Sequence, residues 1–271
     1  MCQVLLDLRG KRWLCRGQPE PYGSLIPSID RPPRESLCRV QKLNLERRAI
    51  NLFRQTVRFF AGKGERGALH DDVVALMVLR HYGVPSRLLD WSLSPWVAAY
   101  FAVERCDKKD GEIWAFDEPL YERNGKRQWE KWPETTIDGS GDPSKFRANL
   151  TAFRVDEPPD WFICSFYHRG FPRQQAQESA YTMTARFGRA HDVAISDLLK
   201  DAAHHHRYVI EAQLKPKLRE VLREEYGAWP GSLFPDSAGA AETARRAVFG
   251  DGANAACRES PTVRAATEPE R

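Results

Sequence analysis

The residues His81-Tyr82-Gly83-Val84-Pro85-Ser86-Arg87-Leu88-Leu89-Asp90-Trp91-Ser92 bring His, Arg, Asp, Trp and Ser within twelve positions of one another. A helix signal follows at once, because Ser94 can cap a first turn and Pro95 suits the first helical position. Apolar residues then recur at spacings of three and four over residues 97–102. The pattern predicts a polar loop that leads directly into a helix packed in the core, an arrangement common at functional sites.

The same stretch has a purely structural interpretation. Arg87 and Asp90 are close enough in sequence to pair and lock the loop to itself. Trp91 is more often a core residue than a stacking surface. His81 lies at a helix end, where a positive charge is favourable. A self-locked loop is therefore the alternative to a binding loop.

Composition is that of a folded domain with an ordinary core. The chain has 271 residues, of which 42% are hydrophobic and 29% charged, so one large domain or two small ones are expected. No apolar run approaches the roughly 20 residues that cross a bilayer, and residues 1–10 lack the pattern of an export signal. We therefore expect a cytoplasmic protein with reduced thiols and no membrane partner.

Metal-binding residue types are not spaced as metal ligands. The six cysteines include no Cys-x-x-Cys pair, which argues against a zinc ribbon or a redox motif. His204, His205 and His206 are consecutive, and consecutive side chains point in different directions on a strand or a helix. We expect no metal, and a solvated strand start at the three histidines.

The net charge of +4 is unevenly distributed. Residues 1–60 hold twelve Lys and Arg against five Asp and Glu. Such a basic region attracts phosphate or nucleic acid through its field, although a solvated face is its commoner cause and we find no DNA- or RNA-binding motif. The sequence leaves open whether the protein has a protein or nucleic-acid partner, and it does not indicate an oligomeric state.

Periodicity predicts a mixture of helices and strands. Helices are expected over 43–61, 70–80, 95–104 and 214–222, and strands over 12–17, 112–116, 180–183 and 208–212, with 162–167 ambiguous. We assign one domain to residues 10–235, with 117–145 as an excursion or insertion. Residues 236–271 are expected to form a tail that is partly helical and then disordered.

Three stretches together resemble the FRG domain, a bacterial module named for a Phe-Arg-Gly motif. The first is Trp13-Leu14-Cys15-Arg16-Gly17-Gln18, in which Cys15 stands where the family has Phe. The second is the central stretch, close to the family pattern His-Tyr-Gly-x-Pro-Thr-Arg-Leu-Leu-Asp-Trp-Thr, with Ser86 and Ser92 at the Thr positions. The third spans residues 172–178, where the family usually reads Ala-Gln-Gln-Gly before an aromatic residue. The resemblance extends to about residue 240.

The same stretches are similar, more distantly, to the three signatures of ADP-ribosyltransferases of the Arg-Ser-Glu type. In those enzymes a first-strand Arg holds the phosphates of NAD, a Ser-containing strand before a helix frames the nicotinamide ribose, and a late Glu activates the reaction. The resemblance implies an α+β fold with mixed, split β-sheets flanked by helices. It also implies NAD as the substrate, in a cleft lined by residues 16–18, 81–92 and 173–182.

Particular residues become candidates for these roles. The candidates for binding NAD are Arg16, Gly17, Gln18, Tyr82, Arg87, Asp90 and Trp91, and those for catalysis are Glu178, Gln177, Ser92 and His81. An arginine fork pairs well with phosphate. A carboxylate would stabilise the positive charge that builds on the sugar as the nicotinamide bond breaks. Arg16 has a structural alternative, as an ion-pair partner.

We expect a NAD-consuming effector with ADP-ribosyltransferase or NAD glycohydrolase activity, acting as a toxin or in anti-phage defence. The alternative is a non-catalytic sensor or regulatory module that binds a nucleotide or nucleic acid in the same cleft. The FRG family usually has Gln near position 178, and Gln cannot supply the charge. If Gln177 holds the functional position, the site binds a nucleotide without turning it over.

Overall fold

The structure is a computed structural model that describes residues 1–59, 62, 65–129, 163–167, 172–184 and 186–249. The strands are β1 (Leu14–Gln18), β2 (Leu88–Ser92), β3 (Gly111–Phe116), β4 (Ile163–Tyr167), β5 (Ser179–Thr184) and β6 (His205–Ile210). The helices are α1 (Cys2–Gly10), α2 (Arg39–Val57), α3 (Asp72–His81), α4 (Pro95–Val103), α5 (Glu118–Trp129), α6 (Pro172–Ala176), α7 (His191–Leu199), α8 (Lys215–Glu224), α9 (Pro230–Leu233) and α10 (Ser237–Phe249). A search of these residues finds no helix with the length and apolar character needed to cross a membrane.

The six strands form one sheet in the order β4-β5-β2-β1-β3-β6, and every pairing is antiparallel. The predicted α+β class is confirmed. The prediction of mixed, split sheets is wrong for the described residues, because the strands join one continuous antiparallel sheet. Backbone pairing is nonetheless least extensive at the centre of the sheet, where β1 and β2 pair at a single position, Cys15 opposite Ser92. Beyond that pair the two strands diverge and leave a gap.

Helix α4 is the central helix of the core and packs directly on β1. It begins at Pro95 as predicted, although the Ser94 hydroxyl makes no capping hydrogen bond. Its close approach to the sheet requires a glycine on β1, because a Cβ atom at Gly17 would lie 1.8 Å from the carbonyl oxygen of Ala98. Gly17 therefore follows from helix–strand packing.

Helices α2 and α3 form a second apolar layer against β2 and β5. Both were predicted from periodicity, and both begin where a side chain satisfies free backbone N–H groups. Gln41 Oε1 accepts from the backbone N–H of Cys38 at 2.9 Å, so α2 starts earlier than the apolar pattern indicates. Asp71 caps α3 through hydrogen bonds from the N–H groups of Val73 and Val74.

The remaining predictions of secondary structure have mixed outcomes. The ambiguous segment 162–167 is strand β4 from residue 163, and β6 starts at His205 as expected for the three histidines. Helix α5 occupies the beginning of the predicted excursion, whereas residues 130–145 lie outside the described residues. Helix α10 accounts for the helical part of the predicted tail, and residues 250–271 lie outside the described residues.

An ion pair buried in the core anchors the loop before β2. Arg87 and Glu46 of α2 have fully buried side chains, and Arg87 Nε donates to the two carboxylate oxygens at 3.1 and 3.0 Å. The ring of Phe187 lies 4.2 Å from the guanidinium carbon. The predicted Arg87–Asp90 pair is therefore wrong. The side chain of Arg87 enters the layer between α2 and the sheet, whereas that of Asp90 faces other partners.

We predict that Glu46→Ala lowers the free energy of unfolding by about 3–5 kcal/mol, because it leaves the Arg87 charge buried without its partner. The double variant Glu46→Leu/Arg87→Met removes both charges and should lose less than the two single substitutions together. Urea denaturation measures the three variants. Asp197→Ala, which breaks a more exposed ion pair with Arg189, serves as the control and should change the free energy by less than about 1 kcal/mol. Equal losses for Glu46→Ala and Asp197→Ala would contradict this account.

Candidate functional site

A cleft of about 330 Å³ opens where β1 and β2 diverge. Its walls come from both strands, from α4, from the end of α3, and from the segment that leads into β5. The lining residues are Cys15, Arg16, Gly17, Gln18, Pro19, Tyr22, Arg31, Arg80, His81, Asp90, Trp91, Ser92, Val97, Ala98, Phe101, Glu104, Arg105, Arg173, Gln177, Ser179 and Tyr181. The structure therefore brings together parts of all three stretches that the sequence singled out.

The guanidinium of Arg16 lies in the gap between the two strands. Its Nη1 donates to the backbone carbonyl oxygen of Asp90 at 2.7 Å and lies 3.7 Å from the Asp90 carboxylate. Its Nε has no hydrogen-bond partner within the described residues. Burial lowers the pKa of Arg16 to about 10, and the nearby charge of Asp90 acts in the opposite direction. Arg16 stays charged at neutral pH and keeps donor capacity for a ligand.

Asp90 is held between two arginines. Arg80 Nε and Nη2 donate to Asp90 Oδ2 at 3.0 and 2.7 Å, which forms a two-pronged ion pair. Burial by itself would raise the pKa of Asp90. The charges of Arg80 and Arg16 outweigh that effect and hold the pKa below its ordinary value. The carboxylate therefore stays ionised and balances part of the positive charge in the cleft.

The lining carries an excess of positive charge. It contains five arginines and two carboxylates, namely Arg16, Arg31, Arg80, Arg105, Arg173, Asp90 and Glu104. Among the described residues no carboxylate lies within ion-pair distance of Arg31 or Arg173. Burial lowers the pKa of both arginines, since their charges are partly removed from water. Such a cleft attracts an anion, and arginine forks match the oxygens of phosphate.

Ser92 and Gln177 line the cleft but also hold its backbone in place. The Ser92 hydroxyl donates to the carbonyl oxygen of Gln177 at 2.7 Å and accepts from the N–H of Ser94 at 2.9 Å. Gln177 Nε2 donates to the carbonyl oxygen of Leu233 at 3.1 Å. These bonds join β2, the start of α4 and the segment before β5 into one wall of the cleft.

His81 and its neighbour Tyr82 have different surroundings. His81 is partly buried and lines the cleft, and burial lowers its pKa, so the imidazole is neutral at pH 7. Tyr82 is 57% exposed, lies outside the cleft lining, and donates from its hydroxyl to Glu65 Oε1 at 2.9 Å. A neutral His81 can accept a proton in the cleft. Tyr82 is not positioned to stack on a ligand there.

The aromatic ring of Trp91 belongs to the core. The residue is 4% exposed, its Nε1 donates to Thr182 Oγ1 at 2.7 Å, and its ring meets Phe116 edge to face. Consecutive strand residues face opposite sides of a sheet, so the side chains of Asp90 and Trp91 diverge. The structural interpretation of Trp91, rather than the stacking one, agrees with its position.

Two further candidates lie away from the cleft lining. The guanidinium of Arg87 forms its ion pair with Glu46 in the core. Glu178 Oε2 accepts from Arg9 Nη1 of helix α1 at 2.7 Å, and its backbone adopts a left-handed φ of +44°. This pair turns the Glu178 carboxylate toward α1, whereas the adjacent Gln177 lines the cleft. The position of Glu178 therefore does not support its predicted role in activating the reaction.

Several lining residues were missed by sequence reasoning. Arg31 lies in a proline-rich loop and carries no local signal for a site. Arg80 directly precedes the central stretch, at a helix end where a cation is favourable for reasons unrelated to ligands. Tyr181 lies within the predicted cleft segment 173–182 but was given no role, and it faces Asp90 across the β2–β5 pairing. Packing of a loop, a helix end and a strand around the gap brings these residues together, and no local pattern indicates it.

Metal-binding residue types do not converge in the part of the chain that the structure describes. No group of three or more His, Cys, Asp or Glu side chains there could hold a metal ion. His204 instead pairs with Asp117 at 2.9 Å, and the ring of His206 stacks on that of Trp13.

Comparison with known protein families identifies the part of the chain that contains β1, α2, α3, β2 and α4. Residues 11–111 match the model of the FRG domain. The chain contains an FRG domain. No curated protein and no solved structure matched the chain in the corresponding searches. The sequence predicted a resemblance extending to about residue 240, whereas the match ends at residue 111, where β3 begins.

The FRG domain contains most of the cleft lining, seventeen of its twenty-one residues. Arg16, Arg80, His81 and Asp90 all lie inside the matched range, whereas Arg173 and the other residues that lead into β5 lie beyond it. Cys15, at the position of the family's Phe, is fully buried against α4, and burial raises the pKa of its thiol to about 12. Cys15 therefore replaces the family's Phe as a core residue, and its protonated thiol gives the cleft no reactive thiolate.

We predict that Asp90→Asn lowers the free energy of unfolding near neutral pH, because it leaves Arg16 and Arg80 facing each other without an anion. The pKa of Asp90 in the folded protein lies below its ordinary value of 3.8. The ion pairs therefore stabilise the fold above that value and are lost as the pH falls through the folded-state pKa. Urea denaturation at pH 7 and at about pH 3 measures the difference between wild type and variant. That difference should shrink at low pH, and a constant difference would contradict the assignment.

Proposed function

We propose that the cleft binds NAD or a related nucleotide through its phosphate groups, with Arg16 as the central contact. One observation carries the proposal: the arginine stretch of β1, the serine stretch of β2 and the segment entering β5 lie on three adjacent strands and line one cleft. ADP-ribosyltransferases of the Arg-Ser-Glu type use stretches of this kind, in the same chain order, to hold NAD. The arrangement here supports the same use of the cleft.

The charge of the cleft supports a ligand with more than one anionic group. Asp90 compensates Arg16 and Arg80 only in part, and Arg31 and Arg173 add charge from two other walls. A single carboxylate ligand would leave most of this charge unmatched. A pyrophosphate carries two linked anionic groups that can reach several arginines at once.

The activity that we propose is cleavage of the bond between nicotinamide and ribose. The bonding electron pair leaves with the nicotinamide ring, and the positive charge that develops on the ribose is favoured by a nearby carboxylate. The carboxylates that line this cleft are those of Asp90 and Glu104, whereas that of Glu178 pairs with Arg9. Water or another acceptor attacks the sugar and loses a proton, which the neutral imidazole of His81 can take. The products are nicotinamide and ADP-ribose, free or attached to the acceptor.

A second candidate function is a sensor or regulatory module that binds a nucleotide without chemistry. The specific observation in its favour is the pairing of Glu178 with Arg9, because the uncharged Gln177, and not Glu178, then lines the cleft. A nucleic-acid ligand is a variant of this proposal, supported by the basic first quarter of the chain. A role as a toxin or anti-phage effector, with a protein or nucleic-acid acceptor, depends on the enzymatic proposal and on the family resemblance.

We predict that Arg31→Ala and Arg16→Lys each weaken NAD binding roughly ten- to a hundredfold, since each removes a charged hydrogen bond to phosphate. Arg31 lies in a surface loop, so its loss should leave the fold intact, and Arg16→Lys keeps a positive charge in the gap between β1 and β2. Isothermal titration calorimetry with NAD measures the affinities. Arg66→Ala, which removes an exposed arginine outside the cleft, is the matched control and should bind as the wild type does.

Release of nicotinamide from NAD, followed on the same proteins with and without cell extract or nucleic acid, separates the two candidate functions. Turnover that falls in the cleft variants but not in Arg66→Ala or Glu178→Gln supports the enzyme. NAD binding without turnover supports the sensor. A wild-type protein that neither binds nor cleaves NAD would contradict the proposal.

A further inference from the structure

Gln18 lines the cleft, and within the described residues only the oxygen of its side-chain amide has a hydrogen-bond partner. The residue is only 2% exposed, and its Oε1 accepts from Trp114 Nε1 of β3 at 3.2 Å. Its Nε2 has no hydrogen-bond partner among the described residues. A buried donor without a partner is destabilising, and such groups in folded proteins call for an explanation.

The orientation of the amide follows from the chemistry of Trp114. An indole N–H can only donate, so the amide oxygen of Gln18 must face Trp114 and the NH₂ group must face away from it. The opposite orientation would place two donors against each other. Trp114 Nε1 also donates to Glu112 Oε2 at 3.3 Å, and the other oxygen of that carboxylate, Oε1, pairs with Arg207. The hydrogen bond to Glu112 holds the indole of Trp114 in place on β3. The indole in turn fixes the direction in which Gln18 Nε2 can donate.

The strand end that carries Gln18 is also fixed. The fully buried Lys215 of α8 donates from Nζ to the carbonyl oxygen of Pro19 at 2.6 Å and to that of Cys106 at 3.1 Å. Gln18 lies two residues beyond Arg16, so their side chains project from the same face of β1. A ligand whose phosphate reaches Arg16 therefore places its neighbouring groups near the Gln18 amide.

We infer that Gln18 is a specificity-determining residue of this cleft, which donates from Nε2 to an uncharged oxygen on the sugar or base of the bound nucleotide. The inference rests on the proposed nucleotide function and adds to it a means of discrimination. The arginines recognise any polyphosphate, whereas a fixed amide donor favours a ligand that offers a neutral acceptor beside the phosphates. A buried donor that meets no acceptor penalises ligands without one.

The test compares two probes, NAD and inorganic pyrophosphate, by calorimetry on wild type, Gln18→Met and Arg31→Ala. Gln18→Met keeps the length of the side chain and removes the donor. It should weaken NAD binding about tenfold and leave pyrophosphate binding unchanged, whereas Arg31→Ala should weaken both. Trp114→Phe frees the amide to rotate and should weaken NAD binding by a smaller factor, with pyrophosphate again unchanged. Thermal unfolding confirms that each variant is folded.

Each outcome of this comparison bears on one of the two claims. Equal weakening of NAD and pyrophosphate by Gln18→Met would overturn the inference, because Gln18 would then contact phosphate or support the fold. Unchanged NAD binding by Gln18→Met would also overturn the inference. The proposed function would still stand in that case if Arg31→Ala loses NAD binding. A wild-type protein that binds neither probe would remove the proposed function and the inference with it.

Discussion

The hydrogen bond from the Arg16 guanidinium to the carbonyl oxygen of Asp90 joins two strands where their backbone pairing stops. Strands β1 and β2 pair only at Cys15 and Ser92, so the centre of a six-stranded sheet would otherwise be open. Helix α4 covers one face of this point, and its contact with Gly17 fixes how β1 leaves β2. The cleft is thus a consequence of how the sheet is built. Its most buried cation is the group that spans the opening.

The balance of charges explains why the opening is polar and still carries unmatched positive charge. Asp90 is ionised and shared between Arg80 and Arg16, which lets three charged side chains coexist under partial burial. A separate and fully buried pair, Arg87 with Glu46, ties the β2 loop to α2. The arginines of the central region therefore divide into one that maintains the fold and several that face the cleft. That division is what gives the cleft its net positive charge.

Much of the fold could be predicted from the sequence, because helices such as α3 and α4 carry both apolar periodicity and start signals. The α+β class and the convergence of three stretches on one cleft followed from the family resemblance. Individual roles were harder to predict. Spacing placed Arg87 beside Asp90, yet the strand alternation and the approach of α2 send the two side chains to different layers. Glu178 and Gln177 are adjacent in sequence, and only a left-handed backbone and the position of Arg9 decide which of them reaches the cleft. Contacts of this kind depend on register and packing between distant segments, which local patterns do not encode.

The central claim is that the gap bridged by Arg16 is a phosphate-binding site for a nucleotide such as NAD. A crystal structure of the protein grown with NAD tests it most directly. The account predicts the pyrophosphate in the cleft, with oxygens about 3 Å from the guanidinium nitrogens of Arg16, whether or not the nicotinamide is still attached. NAD bound elsewhere on the protein, or bound in the cleft with its phosphates directed into solvent, would contradict it.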